Sequence, residues 1–450
     1  MRRTASFGLT LVVLFAWTLC GDAVAGWKAG TGRAKITPEQ PQWMAGYGSR
    51  DHESEGTLHD IWAKALTLVD GKGHRAVLVT LDLCGIGRDL SDAICTQLKE
   101  KHGLERSQIA LNCSHTHTGP VVRNNLRSMY FITDAQEQVV NDYSDGLIRK
   151  IVGAVGEAIA AEAPAEVLEG QGRATFAVNR RTNKEPDVPK LREDGLLKGP
   201  NDHAVPVLAV KGADGKLRAI VAGYACHATV LPIYQWTGDY PGFYQIALEK
   251  AHPGAQAMFV AGCGGDQNPL PRRTVELAEQ YGSMLADSVE QVLANGLQPV
   301  PDTLATKYVE VPLGFSKIPA KADLLADSMS SDKYRASRAK LLLKRVEKEP
   351  LPPTYAYPVQ AWKLGNRRVV LLGGEVVVDY ALRLKKEFGG ESLWVAGYSN
   401  DVMAYIPSLR VLKEGGYEGG GAMLYYGLPS EWDEKVEETI VGGVKQALAD

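Results

Sequence analysis

The sequence predicts an α/β fold, a mixed and largely parallel sheet or sheets flanked by helices, with the active site at the carboxyl ends of the strands. Three observations predict it. Strand and helix signals alternate along almost the whole chain after residue 25. The apolar runs, RAVLVTLDL at Arg75–Leu83 first among them, read as buried strands covered by helices. Unusual polar residues gather just after strands, where open α/β sheets bind their ligands.

The elements follow in order. After Arg75–Leu83, helical spacing runs through Asp89–Lys101, then Gln108–Cys113 is a strand and Gln136–Ala161 a long helix. Val205–Val210 and Leu217–Cys226 pair across Asp214-Gly215, a strong hairpin signal. Helix Gly242–Ala251, strand Gln256–Ala261, helix Thr274–Ala294 and strand Ala305–Val311 come next. A charged helical insertion at Ala320–Lys348 precedes strands Ala356–Leu364 and Val369–Leu372. Helix Glu375–Phe388, strand Leu393–Gly397 and a helix from Pro429 to Leu448 complete the pattern.

With 450 residues, 45% of them hydrophobic and 23% charged, the composition is that of a globular protein with a sizeable core. A formal net charge of -3 gives no reason to expect a nucleic-acid partner. Arg2 and Arg3, the apolar run Leu9–Cys20 and Ala23-Val24-Ala25 have the three parts of a signal peptide. The expectation is export, periplasmic or extracellular, with cleavage near Ala25 and no transmembrane segment afterwards. Leu19 is too large for the slot before a lipoprotein cysteine. Cys84, Cys95, Cys113, Cys226 and Cys263 remain, without a CxxC pair, so they are expected to be small core residues.

Five strand ends carry polar clusters. Ser114–Pro120 reads SHTHTGP, and His227 follows Cys226. Asp266, Gln267 and Asn268 close the turn GCGGDQNP, Gly373-Gly374-Glu375 follows Leu372, and Tyr398-Ser399-Asn400-Asp401 leads to Tyr405. A two-residue step in extended chain points His115 and His117 to opposite sides, so they are expected to play different roles unless the loop bends sharply. His227 alone also suits a buried histidine satisfied by backbone. Glu375 alone suits a carboxylate at a helix N-terminus, and Asp266 a turn residue. Jointly, two histidines, a glutamate and one further oxygen ligand suit a zinc site. No GxSxG, HExxH or strand-following GxGxxG motif occurs, which disfavours serine α/β-hydrolases, thermolysin-like proteases and Rossmann oxidoreductases.

AGTGRAKITP at Ala29–Pro38, MAGYG at Met44–Gly48, LDLCGIG at Leu81–Gly87 and CSHTHTGP at Cys113–Pro120 occur in this order. VNRRT at Val178–Thr182, DYPGF at Asp239–Phe243, GCGGDQNP and AGYSNDVMAYI follow. Through these segments the chain resembles the catalytic domain of the neutral/alkaline non-lysosomal ceramidases. The resemblance implies Zn2+ held by His115, His227, Glu375 and Tyr405, with His117 near the reacting carbonyl and Arg180 assisting. It also places Asp266 and Asn268 in the pocket. Asn268 stands where the family has a serine, and an amide cannot perform that hydroxyl's proton transfer. The chain ends soon after the catalytic portion, so one domain over residues 26–450 is expected, without the family's C-terminal β-sandwich.

The expected function is exported, zinc-dependent hydrolysis of an amide bond in a small N-acyl substrate, an N-acyl lipid among them. The alternative is a non-catalytic, metal-containing descendant that binds a lipid or glycan, which Asn268 favours. A third reading makes the histidines ordinary core residues and predicts no metal.

Overall fold

The computed structural model describes residues 26–449; the signal-peptide segment, residues 1–25, lies outside the described residues. Eight strands form most of a nine-stranded mixed sheet. They are β1 (Lys28–Lys35), β2 (Trp62–Val69), β3 (Arg75–Leu81), β4 (Ile109–Cys113), β5 (Ala163–Arg173), β6 (Ala204–Gly212), β7 (Leu217–Tyr224) and β8 (Gln256–Ala261). Their order is β8-β7-β6-β5-β1-β2-β3-β4, with Gln298–Pro299 added beside β5. A second sheet holds β9 (Leu304–Gly314), β10 (Thr354–Leu364), β11 (Arg367–Leu372) and β12 (Leu393–Ala396), in that order.

Mixed pairing is as expected, but the sheets are parallel only at their margins: β3 with β4, β7 with β8, and β11 with β12. The remaining neighbours are antiparallel. Short hairpins account for this. Asp70–His74 returns β2 into β3, and Ala213–Lys216 returns β6 into β7, whereas a parallel pair needs a long crossover. The alternation of apolar runs does not distinguish the two.

Strand periodicity fixes the layers. In β2, Ala63 and Ala65 face one side while Leu66 and Leu68 face the other, as a period of two requires. The outer side of β1–β4 is covered by α1 (Arg88–His102) and α2 (Asp134–Ala160). That of β5–β8 is covered by α3 (Asp239–Ala251) and α4 (Val275–Ala294). The inner side packs on the second sheet through Trp362, Leu364, Val369 and Trp394. Beyond that sheet lie α7 (Val378–Phe388) and α8 (Val436–Leu448). The charged insertion forms α5 (Lys321–Asp327) and α6 (Lys333–Val346).

The large sheet curls. Its halves join through only two residue pairs of β1 and β5. The outer strands approach again where Asn112 on β4 accepts from the Ala261 N–H of β8 at 2.8 Å and donates to Gly397 O at 2.8 Å. The segments leaving β4, β8 and β12 therefore meet. Among the described residues the five cysteines are buried and unpaired. No helix among them is long and apolar enough to cross a membrane.

Candidate metal centre

The loop after β4 does bend sharply. His115 has φ 62, a left-handed backbone that few non-glycine residues adopt. Extended alternation is broken, and the rings of His115 and His117 lie on the same side, centroids 4.8 Å apart with Nε2 atoms 3.1 Å apart. Gly46 (φ 92) lies against the second ring, where a Cβ would stand 2.3 Å from His117 Cγ. Arg50 Nη2 donates to His117 O at 2.9 Å, fixing the turn from beneath.

His115 and His227 are oriented alike. His115 Nδ1 donates to Cys84 O at 2.5 Å, and His227 Nδ1 donates to Gly264 O at 2.6 Å. Each bond fixes a tautomer and leaves the Nε2 lone pair facing inward. Both Nε2 atoms stand 3.0 Å from Glu375 Oε2, yet no hydrogen bond reaches that buried oxygen. Two ring nitrogens and a carboxylate oxygen converge there, an arrangement that a shared proton or cation satisfies, and N, N, O donors within 4.8 Å of one another suit a divalent metal.

Glu375 differs from its expected setting. It does not open the helix: Glu375–Val376 is a short strand paired in parallel with Tyr405–Ile406, and α7 begins at Val378. Main-chain pairing with Tyr405 delays the helix and puts both side chains at one register. Tyr405 Oη lies 3.1 Å from His227 Nε2, while Tyr398 Oη lies 3.4 Å from the other ring nitrogen. The second Glu375 oxygen accepts from Tyr426 Oη.

Electrostatics follow from burial. Burial pushes the Glu375 carboxyl up, but the imidazoles, His115 foremost, outweigh it and hold the group well below the usual carboxylate range. Burial, then Arg180, pushes His227 down to about 4. Burial and the two neighbouring imidazoles lower His117, whose Nδ1 has no hydrogen-bond partner. Burial pushes His115 down, but Glu375 and Cys84 together outweigh it and raise the group. The cluster thus demands one positive charge beside Glu375, which a proton or a metal ion supplies.

Arg180 stands next to this set. Its Nη2 donates to Tyr405 Oη at 3.0 Å, its Nη1 to Asn268 Oδ1 at 3.1 Å, and its Nε to Glu418 Oε1 at 2.7 Å. Ala177–Asn179 and Gln267–Pro269 pair antiparallel, with Asn268 opposite Val178, which places Arg180 beside Asn268. Asp266 faces elsewhere: its carboxylate accepts from Val378 N and Asn179 Nδ2, both at 2.9 Å, and burial pushes it up to about 6. It ties the start of α7 to the Arg180 strand.

A cavity of about 470 Å3 opens beside Arg180 and Asn268. On the other side, Tyr334 of α6 donates to Gly48 O at 2.6 Å and packs on Tyr425 at 5.0 Å, so the insertion braces both the loop under His117 and the neighbour of Tyr426. Tyr426 and Glu418 were invisible to sequence reasoning. Neither follows a strand, and the glycine-rich stretch before Tyr425-Tyr426 gives no ligand signal.

Comparison with known proteins supplies the lineage. The family model described as neutral/alkaline non-lysosomal ceramidase, N-terminal, matches residues 27–268. That span holds His115, His117, Arg180, His227, Asp266 and Asn268; Glu375 and Tyr405 lie beyond it. Neutral ceramidase A of Dictyostelium discoideum is 25% identical over 305 residues, covering 60% of this chain and 42% of that protein. Neutral ceramidase of Drosophila melanogaster is 31% identical over 106 residues, 23% of this chain and 15% of that one. The chain therefore matches less than half the length of these relatives. Two solved structures share the fold. A structure titled "Ceramidase complexed with C2" has a TM-score of 0.73 at 18% identity, covering 94% of this chain and 75% of that one. Neutral ceramidase from Pseudomonas aeruginosa has a TM-score of 0.69 at 19% identity, covering 95% and 76%. Because the family match runs through more than half of the sequence and includes both histidine segments, the chain belongs to the neutral/alkaline non-lysosomal ceramidase family.

Proposed function

We propose that the protein is an exported, zinc-dependent hydrolase that cleaves an amide bond in an N-acyl substrate. One observation carries the reading. Glu375 Oε2 is buried without a hydrogen bond between two imidazoles whose Nδ1 atoms are already committed, a donor set that suits zinc. His115, His227, Glu375 and Tyr405 would hold the ion. Bound zinc supplies a Lewis acid and brings the pKa of a water it holds toward neutrality.

The chain's own groups do the rest. Arg180 keeps its charge fixed between Tyr405 and Asn268 and stabilises charge developing on the substrate carbonyl oxygen. His117 turns its ring nitrogen Nε2 toward the ligand set, 3.1 Å from His115 Nε2, and so faces the same region. Asn268 accepts from Arg180 through Oδ1, leaving its amide N–H2 to orient a substrate oxygen. The family's curated relatives are named ceramidases, which supports the N-acyl class, and the 1–25 segment supports export.

The test is metal removal and return. Chelation should abolish turnover of short- and long-chain acyl amides, and zinc should restore it; undiminished turnover by metal-free protein would refute the proposal. Asn268 in place of the family serine favours a second reading, a metal-containing binder of lipid or glycan. Binding of acyl amides with no turnover at full zinc occupancy would establish that one instead.

A further inference from the structure

The cavity beside Arg180 has walls that do not suit an acyl chain. Arg180, Arg181, Lys184 and Arg272 line it together with only two carboxylates, Glu185 and Glu418. Each carboxylate is shared by two guanidinium groups. Glu418 accepts from Arg180 at 2.7 Å and from Arg181 at 2.6 Å. Glu185 accepts from Arg272 at 3.1 Å and also from Arg273. The acids are therefore consumed within the walls. Arg181 is answered a second time by Glu414 at 3.0 Å, so the cationic charge left over is that of Lys184 and of Arg272 and Arg273, which share Glu185. The Lys184 ammonium forms no hydrogen bond or ion pair with any described residue, and the buried Arg181 Nε has no partner. Leu270 is the sole aliphatic lining residue.

An apolar chain placed here would strip water from charged groups and give nothing back. The acyl half of an N-acyl substrate is thus directed elsewhere, and the amine-derived half faces this cavity. A neutral amino-alcohol would leave the surplus charge unmet. A carboxylate or sulfonate would meet it with charge-assisted hydrogen bonds.

Resting on the amide-hydrolase reading above, we propose that the amine half of the substrate is anionic, so that the substrate class is N-acyl amino acids and their sulfonate counterparts. Lys184 and Arg272 receive the anion, while Arg180 bridges from it to the ligand set through Tyr405.

The experiment measures binding rather than turnover. Two non-cleavable analogues are compared on the zinc-loaded full chain, each with CH2 in place of the amide N–H and the same dodecanoyl chain. One ends in a carboxylate and the other in a primary alcohol. The expected result is at least about tenfold tighter binding of the carboxylate, shrinking with added salt. Lys184→Glu should erase that preference with an unchanged thermal midpoint, since this side chain is exposed. Equal or tighter binding of the alcohol, or a preference that Lys184→Glu leaves intact, would overturn the proposal. Absence of turnover with the parent amides, together with the carboxylate preference and its loss in Lys184→Glu, would overturn the hydrolase reading and keep the anion site as a binding site.

Discussion

Tyr426 donates its phenolic hydrogen to Glu375 Oε1 across 51 residues of chain, while the other carboxylate oxygen faces His115 and His227. A ligating carboxylate held on its outer oxygen keeps one orientation and is ready for metal without reorganising. Tyr426→Phe should therefore weaken metal affinity by about 10- to 100-fold with little loss of fold. Competitive titration against a zinc indicator measures this, and unchanged affinity would show that the hydroxyl does not position the carboxylate.

Arg180 serves three acceptors at once: Tyr405, Asn268 and Glu418. A lysine keeps the charge but has no planar fork to reach all three. Arg180→Lys should lower kcat by about 100-fold with a smaller change in KM. Steady-state kinetics with one acyl amide decide this, and equal kcat would remove Arg180 from the reaction.

Gly46 has φ 92 and lies where a Cβ would meet the His117 ring at 2.3 Å. Gly46→Ala should displace that ring and cost about 1–3 kcal/mol of stability through backbone strain. Metal content should persist, because His115, His227 and Glu375 are untouched, while turnover falls. A variant with normal kcat would mean that the position of His117 is unimportant.

Asp401 is buried, and burial pushes its carboxyl up to about 7; one oxygen accepts from Tyr355 Oη at 2.6 Å and the other has no partner. The folded pKa lies above the unfolded value, so the native state holds the extra proton between them. The stability it brings is fully present below the unfolded pKa and is lost as pH rises toward 7. Relative to Asp401→Asn, the wild type should lose roughly 2–3 kcal/mol between pH 5 and pH 7 and run parallel above that. Denaturant midpoints across this range measure it, and parallel profiles throughout would contradict the assignment.

Much of this architecture was legible because apolar periodicity reports burial. Gln256–Ala261 and the hairpin at Asp214-Gly215 occur as expected. The antiparallel interior of the large sheet was not, since Trp62–Val69 and Ala163–Arg173 carry no mark of their direction. In the site, His115, His227 and Glu375 come together, as the polar residues after strands suggested. What the sequence could not show was main-chain geometry. The left-handed φ of His115 turns both loop histidines inward, and the pairing of Glu375 with Tyr405 replaces a helix start. Tyr426 escaped notice because a neutral hydroxyl late in the chain has no local signature.

A single shared ion between His115, His227 and Glu375 is the centre of the proposed site, and metal stoichiometry tests it most directly. Elemental analysis of the purified protein should give one zinc per chain for the wild type and none for His227→Ala, with both proteins folded by circular dichroism. A wild type that takes up no metal when offered zinc, or a His227→Ala variant that keeps a full equivalent, would contradict it.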